Sequence, residues 1–171
     1  DDKYSFESGL YVDYEMNMKD ALKVKLGLRG SSFYFFGPGQ YLDNNLPDSP
    51  VKKAESGEII SKYHNIEPRL SMQYQLDKGS SIKASYNKTT QYIHLLSNTA
   101  SPTPLDQFTP SSKNIKPQLS DQYAIGYFKN FNNNGWETSV ELYYKDMQSQ
   151  IDFVEGADLQ LNVEFEKDVL R

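Results

Sequence analysis

Apolar and polar residues alternate strictly along much of this 171-residue chain, and the connections between the alternating runs are by turns short and long. Successive side chains of a strand point to opposite faces, so a period of two sorts residues into two surfaces. In "LYVDYEMNM", Leu10, Val12, Tyr14, Met16 and Met18 share one face, and Tyr11, Asp13, Glu15 and Asn17 share the other. In "LKVKLGLR", Leu22, Val24, Leu26 and Leu28 oppose Lys23, Lys25, Gly27 and Arg29, and only "KDA" separates the two runs. A second pair sets Leu70, Met72, Tyr74 and Leu76 against Arg69, Ser71, Gln73 and Gln75, turns through "DKGS", and continues with Ile82, Ala84 and Tyr86 against Lys83, Ser85 and Asn87. The third pair places Tyr123, Ile125 and Tyr127 before the turn "NFNNNG", and Trp136, Thr138, Val140, Leu142 and Tyr144 after it, opposite Glu137, Ser139, Glu141, Tyr143 and Lys145. "LQLNVEFE" is a candidate seventh strand.

Short turns are expected near residues 19–21, 77–80 and 130–135, and long connections over 37–62, 92–118 and 146–157. In an up-and-down sheet alternate connections fall on one end, so one end is trimmed and the other elaborated. Outer-membrane barrels have this asymmetry. The long run from 92 carries prolines at 102, 104, 110 and 117, which block strand pairing, so a folded loop with few ladder bonds is expected there. No helical period is sustained over three turns, and Gly, Pro, Asn and Ser punctuate every gap.

The fold class is therefore all-β: an antiparallel up-and-down meander of six to seven strands. Two readings of its faces compete. A soluble sandwich, such as a carbohydrate-binding module, would bury the apolar faces against each other. A membrane barrel would turn them to lipid and line its lumen with the polar ones. The polar faces carry Lys23, Lys25, Arg29, Arg69, Lys83, Glu137 and Glu141. Rings gather near strand ends at Tyr11, Phe33 to Phe36, Tyr63, Tyr92, Phe131 and Trp136, where amphipathic aromatics suit a membrane interface. The apolar runs are about eight to eleven residues long, close to the roughly 9–11 that a tilted spanning strand needs. These three features favour the barrel. Composition agrees: mean hydropathy is -0.70 although the chain has thirteen Tyr and nine Phe, so rings are plentiful while aliphatic core residues are scarce. A formal charge of -5 and the lack of a basic cluster argue against nucleic acid as a partner. Cysteine is absent, which removes disulfides, thiolate metal sites and cysteine nucleophiles.

Three passages, "YHNIEPRLSMQYQL", "SSIKASYNKTTQYIHLLSNTASPTPLDQFTPSSKNIKPQLSDQYAIGYFKNF" and "SVELYYKDMQSQIDFVEGADL", resemble the barrel region of TonB-dependent outer-membrane receptors of Bacteroidetes type. The resemblance implies a 22-stranded barrel plugged by an N-terminal domain, import driven by the inner-membrane TonB complex, and residence in the outer membrane of a Gram-negative bacterium. No plug domain, TonB box or signal peptide is legible here, so residues 1–171 read as one partial barrel segment. Taken alone, its two open sheet edges would favour self-association. A passive porin shares the same strand pattern.

No catalytic, cofactor or metal role is expected. The two histidines, His64 and His94, fall in or beside long loops without a nucleophile-elbow sequence, and "DFVEGAD" lacks the ligand spacing of a calcium loop. Asn87 of "NKT" sits in an expected strand. The candidates that remain are surfaces. Tyr41, Tyr92, His94, Leu95 and Phe108 are loop residues with two readings: they contact a nutrient ligand at the outer mouth, or their rings pack loop on loop or rest at the membrane interface, which is the more ordinary role. Arg29, Arg69, Lys83 and Glu141 are expected on the lumen wall, where the basic groups would pair with acidic plug residues.

Overall fold

The computed structural model describes residues 4–18, 21–43, 50–96, 107–131, 135–153 and 169–170. Its strands are β1 (Tyr4–Met18), β2 (Leu22–Phe36), β3 (Gly39–Leu42), β4 (Val51–Ala54), β5 (Ile59–Asp77), β6 (Ser80–Gln91), β7 (Ile93–Leu96), β8 (Gln107–Pro110), β9 (Gln118–Phe131), β10 (Trp136–Gln148), β11 (Asp152–Phe153) and β12 (Val169–Leu170). Six of them form one antiparallel sheet in the order β1-β2-β5-β6-β9-β10. The meander read from the alternation is therefore the observed fold. The candidate strand over 159–166 lies outside the described residues.

The strands outrun their apolar segments. β5 is 19 residues long and starts at Ile59, well before the alternation of Leu70 to Leu76 begins. Its extra turns of ladder stand at the loop end, where packing against loops replaces the hydrophobic signal. His64 is consequently a sheet residue and not a loop residue, with Nδ1 at 2.9 Å from Ser32 Oγ. The long connections contain ladders of their own. β3 pairs with β4, and β7 pairs with β8, from Ile93↔Pro110 to Leu96↔Gln107. The expectation of few ladder bonds after residue 92 is thus corrected. Pro110 takes the last position of its strand, where the missing N–H breaks no further pairing.

The apolar surface is the exposed one. Leu10 is 85% accessible and Leu142 69%. Cross-strand partners place Tyr14, Leu26, Leu70, Tyr86, Tyr123 and Tyr144 in one row across all six strands. Relative to that row, the apolar run drifts. On the three strands that run in one direction it spans Leu10 to Met18, then Pro68 to Leu76, then Tyr123 to Phe131. Ile66 extends the second run and Lys129 interrupts the third. From β1 to β9 the window slides four residues over four strand steps. That is about 14 Å along the strands for about 19 Å across them. A level apolar belt therefore requires strands tilted by roughly 35°, at the lower end of the roughly 35–45° of membrane barrels. A soluble sheet has no reason to shift its apolar window with register.

The buried apolar side chains gather at the loop end of the polar face. Phe33, Phe35, Ala54, Ile60 and Tyr92 form the core there, with Tyr41 and Tyr63 against it. This divides the aromatic residues expected at a membrane interface. Tyr34 and Phe36 face outward with the apolar set, whereas Phe33, Phe35, Tyr63 and Tyr92 turn inward beneath the loops. The sheet also curls toward its polar face, since Glu7 of β1 and Lys145 of β10, its two outermost strands, line one cavity.

Candidate functional site at the loop end of the polar face

The polar face is fastened to the loops by a directed chain of hydrogen bonds. Ser31 Oγ donates to Glu67 Oε1 at 2.8 Å. A hydroxyl has one proton, so the 2.7 Å contact between Ser31 Oγ and Tyr92 must have the tyrosine as donor. Asn65 Nδ2 then donates to the Tyr92 oxygen at 3.0 Å. The order runs Asn65 to Tyr92 to Ser31 to Glu67. Arg29 lies between two carboxylates, 3.4 Å from Glu67 and 3.3 Å from Glu7. Glu67 is 1% accessible, so the serine and the arginine are what make a buried carboxylate tolerable.

Tyr92 joins this network to a second one. Its ring stacks on Phe33 at 5.0 Å with the planes 3° apart, and its carbonyl receives the Ser111 N–H at 2.8 Å. Ser61 Oγ donates to the Ser111 carbonyl at 3.0 Å, and the Tyr63 hydroxyl donates to the Ser112 carbonyl. Ser112 Oγ in turn accepts from the N–H groups of Asn114 and Ile115, which fixes the local turn. Segment 109–117 is thereby strapped to β5 directly and to β2 through Tyr92.

His94 sits inside the strap. Ser111 Oγ donates its proton to the Tyr92 carbonyl at 2.9 Å, so His94 Nε2, 3.0 Å from that oxygen, is the donor of the pair. The imidazole is therefore the neutral Nε2–H tautomer, with Nδ1 buried and without a hydrogen-bond partner among the described residues. Burial also pushes its pKa below the ordinary value, in agreement with a neutral ring. A third fastening joins the β3–β4 hairpin. Asp43 bridges Lys113 at 2.8 Å and Lys52 at 2.7 Å, and the hydrogen bonds from these lysines, Lys113 first, hold its carboxyl down at about 2. Asn114 Nδ2 reaches the Leu42 carbonyl at 3.1 Å, and Lys113 Nζ lies 4.8 Å over the Tyr41 ring.

The four ligand candidates therefore separate. Tyr92 and His94 are buried at 2% and 1% accessibility, and both pack between loop and wall. Tyr41 is half-buried under Lys113, and Phe108 is exposed beside Leu95, its cross-strand partner. Arg29, Arg69, Lys83 and Glu141 all lie on the polar face by register. Arg29 is committed to Glu7 and Glu67, and Lys83 lies 4.2 Å over the Phe128 ring. Glu141 shares a row with Lys83 across Gly126, a position where a Cβ would meet the Glu141 side chain at 2.9 Å. Arg69 has no ion pair or hydrogen bond among the described residues. Sequence reasoning missed Glu67 and Asp43. Glu67 shares the polar face with Arg69 by period two, but the partners of its buried carboxylate, Ser31 and Arg29, come from β2, 36 and 38 residues away. Among the described residues no group of three or more His, Asp or Glu side chains is placed to hold a metal ion.

A family model described as TonB dependent receptor-like, beta-barrel, matches residues 1–164. No curated protein matches the chain significantly.

Proposed function

The chain belongs to the TonB-dependent receptor-like β-barrel family, and from that premise we propose that it forms part of the wall of a transporter importing a scarce nutrient across the outer membrane of a Gram-negative bacterium. Capture falls to the loop end, where Phe108 and the partly exposed Tyr41 offer ring surface. Transport draws on the TonB complex through a plug domain, against which Arg69, Lys83 and Glu141 present a polar wall. Further strands beyond β1 and β10 close the barrel, because about eight strands is the smallest number that closes one. No bond is made or broken by this chain.

The observation that carries the reading is the apolar window that slides with register. It supports a tilted strand in a flat lipid slab, and a soluble carbohydrate-binding sandwich would have no use for it. The inward-strapped loops favour a gated transporter over an open porin, because they occupy the mouth on the polar side.

Absence of cysteine makes the chain a ready background for single-site labels. Environment-sensitive fluorophores at Leu26 and Ile125 of the full-length protein in membranes should be quenched by brominated lipid, and those at Lys25 and Ser139 should not. Equal quenching at both sets refutes the orientation. For import, deleting the protein and dissipating the proton motive force should each stop accumulation of the same nutrient from a limiting mixture. Accumulation that survives both would refute energy-coupled import.

A further inference from the structure

Pro68 ends one ladder of β5 and leaves the other intact. Toward β2 the pairing runs through it without a break, from Leu28↔Pro68 to Phe35↔Ser61. Toward β6 it stops at Arg69↔Asn87, although both strands continue. The missing N–H of the proline therefore lies on the β6 side, where it ends the ladder. Backbone groups on one strand edge recur at every second residue, so those of His64 and Lys62 point the same way. Continued at the same register, Gln91 falls opposite Asn65, and β6 ends there. Tyr92 then turns inward to Ser31 and Phe33. Lys62 and His64 thus stand past the end of β6, on an edge that no strand pairs with among the described residues. The strap leaves this edge unused: its backbone bonds go to Tyr92 and Ile115, and it holds β5 through the side chains of Ser61 and Tyr63 on the inner face. The side chains of Lys62 and His64 are exposed on the outer face, beyond the apolar run of β5. Both strands that border the gap are interior to the sheet, so further strands beyond β1 and β10 leave it unchanged.

We propose that this edge of β5 takes an extended segment of a second polypeptide as an added strand, with an acidic side chain set opposite Lys62. Donors and acceptors repeated at every second residue along an open edge match another extended backbone. Lys62 has no ion pair or hydrogen bond among the described residues, so its charge selects the segment. A second copy of this chain fits badly, because pairing like edges would set Lys62 beside its own counterpart, and like charges facing each other across a pair destabilise it. The strap occupies the inner side at this level, so the segment arrives from the outer side and is a partner, not cargo. The inference goes beyond the import reading and gives the loop end of the wall a partner.

The probe is a fluorescent acetyl-Thr-Val-Glu-Val-Glu-Val-Thr amide, followed by anisotropy as full-length protein in detergent is added. Two further peptides carry N-methyl groups on alternate residues, one set on each strand edge. The parent should bind. One methylated set should bind at least about tenfold more weakly, having lost the ladder donors, and the other should match the parent. Replacing both Glu by Lys should weaken binding roughly three- to tenfold, and Lys62→Glu should invert that preference. Lys62→Pro places a second proline on the edge that already tolerates Pro68, and should abolish binding while the β2 ladder stays paired. Heat-modifiable gel migration checks that the variants fold. If either does not, the methylated peptides still decide the question on the native protein. No binding of the parent, equal loss from both methylated sets, or equal binding of the Glu and Lys peptides overturns the inference. So does self-association of the protein that the peptide displaces, which would make a second copy the occupant.

Discussion

Replacing Tyr92 should release the strap while leaving the sheet in place. Tyr92→Phe keeps the stack on Phe33 but deletes the hydroxyl between Asn65 and Ser31. Ser31 still donates to Glu67, yet loses the proton it received, and Asn65 loses its acceptor. Leaving such groups unsatisfied in a buried site costs about 1–3 kcal/mol. Tyr92→Ala removes the ring as well, and truncation of a buried aromatic costs about 3–5 kcal/mol. Neither loss falls on the main ladder. Both fall on the equilibrium between docked and open strap, in which about 1.4 kcal/mol is a factor of ten.

Hydrogen exchange reads that equilibrium directly, because the Ser111 N–H is held by the Tyr92 carbonyl and the Ser112 N–H by Ile115. In the full-length protein, a peptide covering residues 107–117 should exchange roughly 5- to 150-fold faster in Tyr92→Phe. It should exchange faster still in Tyr92→Ala. Peptides from the β5–β6 ladder between Arg69 and Asn87 should keep their wild-type rates. Unchanged exchange of the strap in Tyr92→Ala would refute the claim that Tyr92 fastens it. Accelerated exchange of strap and ladder together would refute the claim that strap and wall open separately.

Arg in place of Leu26 or Val140 should destabilise the inserted barrel by about 2–4 kcal/mol near the membrane midplane, measured by urea titration in lipid vesicles, while changes at Lys25 or Ser139 should be mild. The strap should loosen in acid through His94: its pKa is lowered by burial, so its contribution is complete above the ordinary value near 6.5 and is lost as pH falls toward the lowered one. Exchange of residues 107–117 should therefore accelerate below about pH 6.5, and His94→Gln should flatten that dependence. Gly37→Ala should displace the β3–β4 hairpin, since an added Cβ would collide with the Glu55 carbonyl oxygen and lie 2.8 Å from Ala54 Cβ. Overpacking of this kind costs about 1–3 kcal/mol, and faster proteolysis between residues 39 and 54 would register it.

The division of the main strands into two faces was legible because a period of two is local: Leu26 and Lys25 declare their sides within one strand. Loop asymmetry was legible for a similar reason, from the spacing of turn residues. The drift of the apolar window was not, because it exists only between strands, once Tyr14, Leu70 and Tyr123 are known to share a row. Burial at the mouth was hidden too. Tyr92 resembles a loop aromatic offered to ligand until Ser31, 61 residues away, is placed against its hydroxyl.

The same inversion of burial governs both levels of the molecule. On the main sheet the apolar face is bare and the polar face is covered where the loops strap onto it, as a lipid exterior and an occupied mouth require. In the β7–β8 hairpin, His94 and Thr109 are likewise buried while Ile93, Leu95 and Phe108 are exposed. Lipid explains the bare face of the sheet, but it does not explain the hairpin, which stands beyond the strand ends. The hairpin is oriented by its polar side, through His94 to Ser111 and from Ser111 to the Tyr92 carbonyl. Alternation puts its apolar side opposite that fastening, so Ile93, Leu95 and Phe108 stay bare. The Tyr92 fastening therefore sets the direction in which Phe108 faces, and opening the strap should reorient the ring surface offered to cargo.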